Sequence, residues 1–146
     1  MLYWWPVAKH LSDFLAVLPA FSQWSVYPGT NGSAKKNWPC CEVQWDQEAG
    51  LSINNPMEGT ITLWVDFWVR SDNVEPDDVY QQQHDAQMAV LCCLREWSDK
   101  LLKDLKIAAK VDCPGIASAG TITRPSFGCR MILTIEWRKS RERIQT

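Results

Sequence analysis

Along residues 58–70, EGTITLWVDFWVR, apolar and polar positions alternate with a period of two. Ile61, Leu63, Val65, Phe67 and Val69 fall on one side of a strand, and Thr60, Thr62, Trp64, Asp66, Trp68 and Arg70 on the other. A sheet with one buried side gives its second side small polar residues. Here that second side holds two tryptophans. The same period recurs in 39–46, where Cys41, Val43 and Trp45 oppose Cys40, Glu42 and Gln44. It recurs again in 128–138, with Cys129, Met131, Leu133, Ile135 and Trp137 as the core row. Arg130, Ile132, Thr134, Glu136 and Arg138 form the opposite row. Shorter strands are expected at 21–27 and 119–124.

Helical spacing replaces alternation elsewhere. Val7, Leu11, Phe14, Leu15 and Leu18 predict a short amphipathic helix over 6–18, with Pro6 in its first turn and Pro19 as its stop. Val79, Gln83, Ala86, Val90, Cys93, Leu94 and Trp97 predict a long helix over 76–98. Pro76, Asp77 and Asp78 suit its entry and the positive end of its dipole. A further helical piece over 99–109 turns Leu101, Leu102 and Leu105 inward and Lys100, Lys103 and Lys106 outward, and Pro114–Gly115 breaks it. Turn residues crowd 28–38 and 47–57. This order predicts an α+β fold: a small, mainly antiparallel or mixed sheet with one long and one or two short helices packed on one face. Residues 1–138 form the single domain, and 139–146 a polar C-terminal arm.

Composition narrows the function classes. The 146 residues suffice for one core, and nine tryptophans in so small a domain put some of them at or near the surface. Fifteen basic against seventeen acidic residues give a net charge of −2, so the whole molecule has no attraction for nucleic acid or anionic membrane. No apolar run approaches the ~20 residues of a membrane span, and no signal peptide is expected. The six cysteines lack zinc spacings, and reduced, buried thiols acting as small hydrophobes are expected.

Catalytic signals are weak. His10, beside Lys9, and His84, between Gln83 and Asp85, read as solvated or interface residues. No nucleophile elbow, zinc-protease helix, phosphate loop or dinucleotide fingerprint occurs. Asp72, Glu75, Asp77 and Asp78 lack the alternating order of a calcium loop. No enzyme activity, cofactor or metal is expected. Surface association is the strongest functional signal. Trp64, Asp66, Trp68, Arg70 and Ile132 are the candidate interface residues on the strand faces. Arg138, Arg141 and Arg143 are candidates at the basic end, as an arm reaching a neighbouring subunit.

A short helix, the strand EGTITLWVDFWVR, one long helix and a closing strand MILTIEW follow one another in the chain. This order resembles the tail-terminator (tail-completion) proteins of long-tailed bacteriophages. The resemblance spans nearly the whole chain in element order, and its most specific stretches are 58–70 and 130–137. The loops at 28–38 and 47–57 and the paired cysteines are not family features. The resemblance implies a structural virion protein, assembled in the host cytoplasm, that forms a ring of usually six subunits on the last ring of the tail tube. Such a ring stops tube polymerisation and offers a surface to head-completion or neck proteins. Its implied partners are other copies of itself, the major tail tube protein and those neck proteins. DNA crosses its channel without sequence-specific binding, and no membrane is involved. Trp64 and Trp68 would then face a partner or a covering helical layer. The alternatives are another neck component, a thiol-dependent cytosolic protein using Cys92–Cys93 or His84, and nucleic-acid binding through the basic tail.

Overall fold

The computed structural model describes residues 2–29, 39–52, 54, 57–70, 75–118 and 126–139. Helix α1 spans Trp4–Ala16, and a single 3₁₀ turn, Pro19–Phe21, follows it. Strands β1 (Ser25–Pro28), β2 (Cys40–Ala49) and β3 (Glu58–Arg70) come next. Helix α2 (Pro76–Leu105) leads to β4 (Ile107–Ser118) and β5 (Ser126–Lys139). The strands form one sheet in the order β1-β2-β3-β5-β4. Among the described strands β1–β2 is parallel and the other pairs are antiparallel. This is the expected small α+β fold with a mixed sheet.

Both helices cover the same face. The period-two rows of β2, β3 and β5 join Val7, Leu11 and Leu15 of α1 and Ala86, Val90, Trp97 and Leu101 of α2 in one core. All five apolar side chains of the β3 row are buried. Helix α1 lies over β1 and β2, and α2 lies mainly over β4 with further contact to β3. The helix start has no side-chain cap of its own. Instead the Glu48 carboxylate of β2 accepts from the Tyr3 N–H (2.8 Å) and the Trp4 N–H (3.2 Å). That satisfies donors a helix terminus leaves orphaned and ties α1 to the sheet.

Several expectations shift. Helix α1 begins at Trp4 rather than at Pro6, because Tyr3 N and Trp4 N find their acceptor in Glu48. Residues 19–21 form the 3₁₀ turn, and the strand expected over 21–27 is reduced to Ser25–Pro28. The two helical pieces expected from 76 to 109 are one helix ending at Leu105. Lys106 terminates it in the left-handed region (φ 58°), its N–H bonded to the Leu102 carbonyl at 3.2 Å. Residues 107–109 already belong to β4, in which Ile107, Ala109, Val111 and Cys113 alternate toward the helices. Pro114 and Gly115 break no helix. They sit in a register shift of the edge strand β4, between Asp112 and Gly115, where a proline's missing N–H is tolerated. The strand expected over 119–124 lies outside the described residues.

A lysine at positive φ carries a steric cost that glycine avoids. Lys106→Gly is therefore expected to stabilise the protein by about 0.5–1 kcal/mol, measured as a higher urea midpoint at unchanged m-value. A lower midpoint would mean that the lysine side chain contributes more at this cap than its backbone costs.

Candidate interface on the open face of the sheet

The register of β3 with its neighbours decides what the helix-free face carries. Asp66 stands between Glu42 on β2 and Arg130 on β5. Trp64 stands between Gln44 and Ile132, and Trp68 between Cys40 and Gly128. Three rows thus cross the sheet side by side. Both carboxylates are deeply buried, Asp66 at 3 % exposure and Glu42 at 1 %, on a face that neither helix of the described residues covers.

The tryptophans supply part of that cover. Arg130 grips Asp66 with a two-pronged fork, Nε to Oδ1 at 2.8 Å and Nη2 to Oδ2 at 3.0 Å. Gln44 Nε2 donates to Oδ2 at 2.7 Å. A planar guanidinium matches a carboxylate in this way where a lysine cannot. The same guanidinium lies 3.9 Å from the Trp64 ring centroid, so one cation serves both a carboxylate and an indole face. Asp66 in turn raises the Arg130 pKa further through that hydrogen bond. The Trp68 ring packs against Gly128 of β5. A Cβ there would come within 2.6 Å of Trp68 Cζ3, so the close approach requires glycine.

The far half of the open face is ordinary. Thr60, Thr62 and Thr134 lead to Glu58, Lys110, Glu136 and Arg138 around a shallow hollow of about 580 Å³. Arg138 Nη2 donates to Glu58 Oε2 at 3.3 Å, and both side chains are exposed. Six strand positions separate Arg138 from Ile132, about 20 Å.

The structure therefore brings Trp64, Asp66, Trp68 and Ile132 into one cluster. Arg70 lies exposed at the end of β3, and Arg138 belongs to the opposite, solvated end. Arg141 and Arg143 lie outside the described residues. Asp66 is no surface contact, because Arg130 and Gln44 occupy its carboxylate. Arg130 was missed as its partner, as was Gly128 beneath Trp68. The signal was an opposite charge and a glycine on the open-face row of the neighbouring strand, legible only with the register in hand. No protein-family model and no curated protein matches this chain.

The remaining chemistry-bearing groups are engaged elsewhere. His10 is half-buried between α1 and α2 rather than solvated. Its Nδ1 accepts from Trp97 Nε1 at 3.0 Å, so Nε2 carries the proton and donates to Asp104 Oδ2 at 2.7 Å. That hydrogen bond holds the Asp104 carboxyl below its usual pKa. His84 is exposed, and eight helical steps, about 12 Å, take the chain from it to Cys92. Burial pushes the thiols of Cys41, Cys93, Cys113 and Cys129 upward, opposite to what a nucleophilic cysteine needs. Among the described residues no cluster of His, Cys, Asp or Glu is placed to hold a metal ion.

Two outcomes follow from this geometry. Gly128→Ala forces the Trp68 indole off β5 and is expected to cost about 1–3 kcal/mol, with a changed near-UV tryptophan dichroism. An unchanged spectrum and stability would mean that the ring moves freely. The raised Cys41 thiol acts on pH dependence. An unfolded-chain thiol ionises near pH ~8.5, whereas folding favours the protonated form. The resulting stability is intact below about pH 8.5 and declines as pH rises toward the folded-state value. Cys41→Ala should flatten that alkaline decline in urea titrations; an unaltered slope would assign it to other groups.

Proposed function

We propose that this protein is a ring-forming structural component of a phage tail, of the tail-terminator type. The ring caps the head-proximal end of the tail tube, stops tube growth and carries the surface to which the neck joins. The observation that carries the reading is the one-sided cover of the sheet. Helices protect one face, while the other presents a firm, half-buried surface of Trp64, Ile132 and the Arg130 guanidinium. Aromatic and arginine side chains already fixed in place lose little freedom on docking, which is how interface anchors work. The element order of the resembled family, with a long helix between strands, supports the same reading.

In this proposal the open face meets a ring of another protein, the tube below or the neck above. A net charge of −2 suits a subunit beside a channel that must pass DNA without holding it. The deciding measurement is tail length, by electron microscopy, in a phage lacking this gene. Abnormally long, headless tubes that shorten when purified protein is present during assembly are expected. Tails of normal length beside filled, unattached heads would move the protein to the neck. Normal virions would end the structural reading.

A further inference from the structure

The chain turns back at Lys106, so α2 and the edge strand β4 lie side by side. Between them runs a groove of about 380 Å³, lined by Leu91, Leu94, Arg95, Ser98 and Val111. Its lining is mixed: aliphatic side chains, one hydroxyl and one guanidinium. Leu91 and Arg95 are exposed.

The ladder decides which way the backbone of β4 points. The Lys139 N–H donates to the Met57 carbonyl at 2.7 Å, on the β3 side of β5. Backbone groups alternate along an antiparallel strand, so Arg138, Glu136 and Thr134 bond across to Ala108, Lys110 and Asp112. Ala109 and Val111, between those positions, aim their N–H and C=O groups outward past the edge. The Ser98 hydroxyl marks that direction, donating to the Ala109 carbonyl at 2.6 Å. A carbonyl oxygen keeps a second lone pair, and β4 is an outer strand of the sheet among the described residues.

We infer that this edge takes up an extended peptide of a partner protein as an added strand, with an apolar side chain in the groove and a carboxylate on Arg95. Three observations select that occupant. The usable edge is short. Ile107 is fully buried beside the Lys106 cap, and the register shift after Asp112, with Pro114 inside it, ends the regular ladder. A short peptide fits the run that remains. A second copy of this chain fits it poorly, because its opposite edge, β1, is a four-residue strand ending in Pro28.

The groove also lies where a peptide's side chains would fall. An added strand sits about 4.8 Å outside β4, and alternate side chains turn to the helix side, over the groove. Main-chain bonds then supply affinity and the groove supplies selectivity, as in other cases of strand addition. Charge supplies the third observation. Among the described residues the lining holds a cation and no carboxylate. A guanidinium recognises a carboxylate with its fork, as Arg130 does with Asp66 in this chain. From Leu91 to Arg95 the helix rises about 6 Å, close to the roughly 6.8 Å of two strand positions. The preferred peptide therefore carries its apolar and acidic residues two positions apart, on one face. This docking site goes beyond the tail reading and does not rest on it.

A synthetic array of capped octapeptides tests this on the full-length protein, with every residue pair at i and i+2 in an alternating Thr/Ser frame. Fluorescence anisotropy ranks the hits. Enrichment of Leu, Val or Ile paired with Asp or Glu is expected. N-methylation of a hit should abolish binding at alternate residues only, since only alternate N–H groups face β4. Hydrogen exchange at the Ala109 and Val111 amides should slow when the peptide binds. Arg95→Glu, at an exposed site and verified as folded by circular dichroism, should weaken acidic peptides about tenfold or more. It should also turn the preference toward Lys or Arg. An array without hits, hits indifferent to the N-methylation pattern, unprotected Ala109 and Val111 amides, or an unchanged charge preference in Arg95→Glu would each overturn the inference. Slow exchange at both amides without peptide, at concentrations where sedimentation shows self-association, would give the edge to a second copy and overturn it too. Tail length in the phage lacking this gene scores the tail reading separately, whatever the peptides do.

Discussion

The thirteen-residue register between β3 and β5, Glu58 opposite Arg138 through Arg70 opposite Ser126, is the constraint on which everything else rests. It aligns two apolar rows under the helices, and the same alignment sets Arg130 beside Asp66, Ile132 beside Trp64 and Gly128 beneath Trp68. A slip of one residue would turn every side chain to the wrong face. The slipped state would lose the buried row and strand Asp66 without its guanidinium, at a cost of several kcal/mol for an unpaired buried charge. Hydrophobic burial on one face and ion pairing on the other thus select the same register. Agreement between independent terms is what gives a sequence a single fold.

That double selection explains why an ionised pair belongs on a face without helices. A buried salt bridge is weak evidence for net stability, since desolvation offsets much of the attraction. Here Arg130 is 40 % exposed at its side chain while Asp66 is 4 % exposed, so the cation keeps much of its hydration. The indole under the guanidinium and the amide of Gln44 supply the remaining partners. The tryptophans are therefore neither a second core nor bare docking residues. They shield a polar cluster inside the subunit and still show part of their surface outside it.

The long alternating rows of β2, β3 and β5 were legible from sequence alone, because a period of two over thirteen residues has no helical counterpart. The segment after Leu105 was not. Its alternation of Ile107, Ala109, Val111 and Cys113 was overridden by the lysines and leucines that precede it, and nothing marked Lys106 as a cap in place of glycine. His10 lay off the apolar stripe of its own helix and was still drawn inward, by Trp97 of another helix. The candidate interface followed the same rule. Positions on a single strand were assigned correctly to a face, while every feature depending on a second strand or helix, Arg130 and Gly128 above all, waited for the register.

The tryptophan-rich composition takes on a different meaning once the positions are known. Trp97 and Trp137 are core; Trp64 and Trp68 shield the Asp66 cluster; Trp4, Trp5 and Trp45 build a ridge at the edge. Of these groups, the last combines large exposure of Trp5 and Trp45 with stacking, which is the combination that favours association over solvation. The open face and the edges differ in kind. The face is polar at its centre and satisfied within the chain, whereas at the β1–β2 edge Trp5 and Trp45 stay exposed. In the proposed assembly, the open face is left for a partner that can match a guanidinium stacked on an indole.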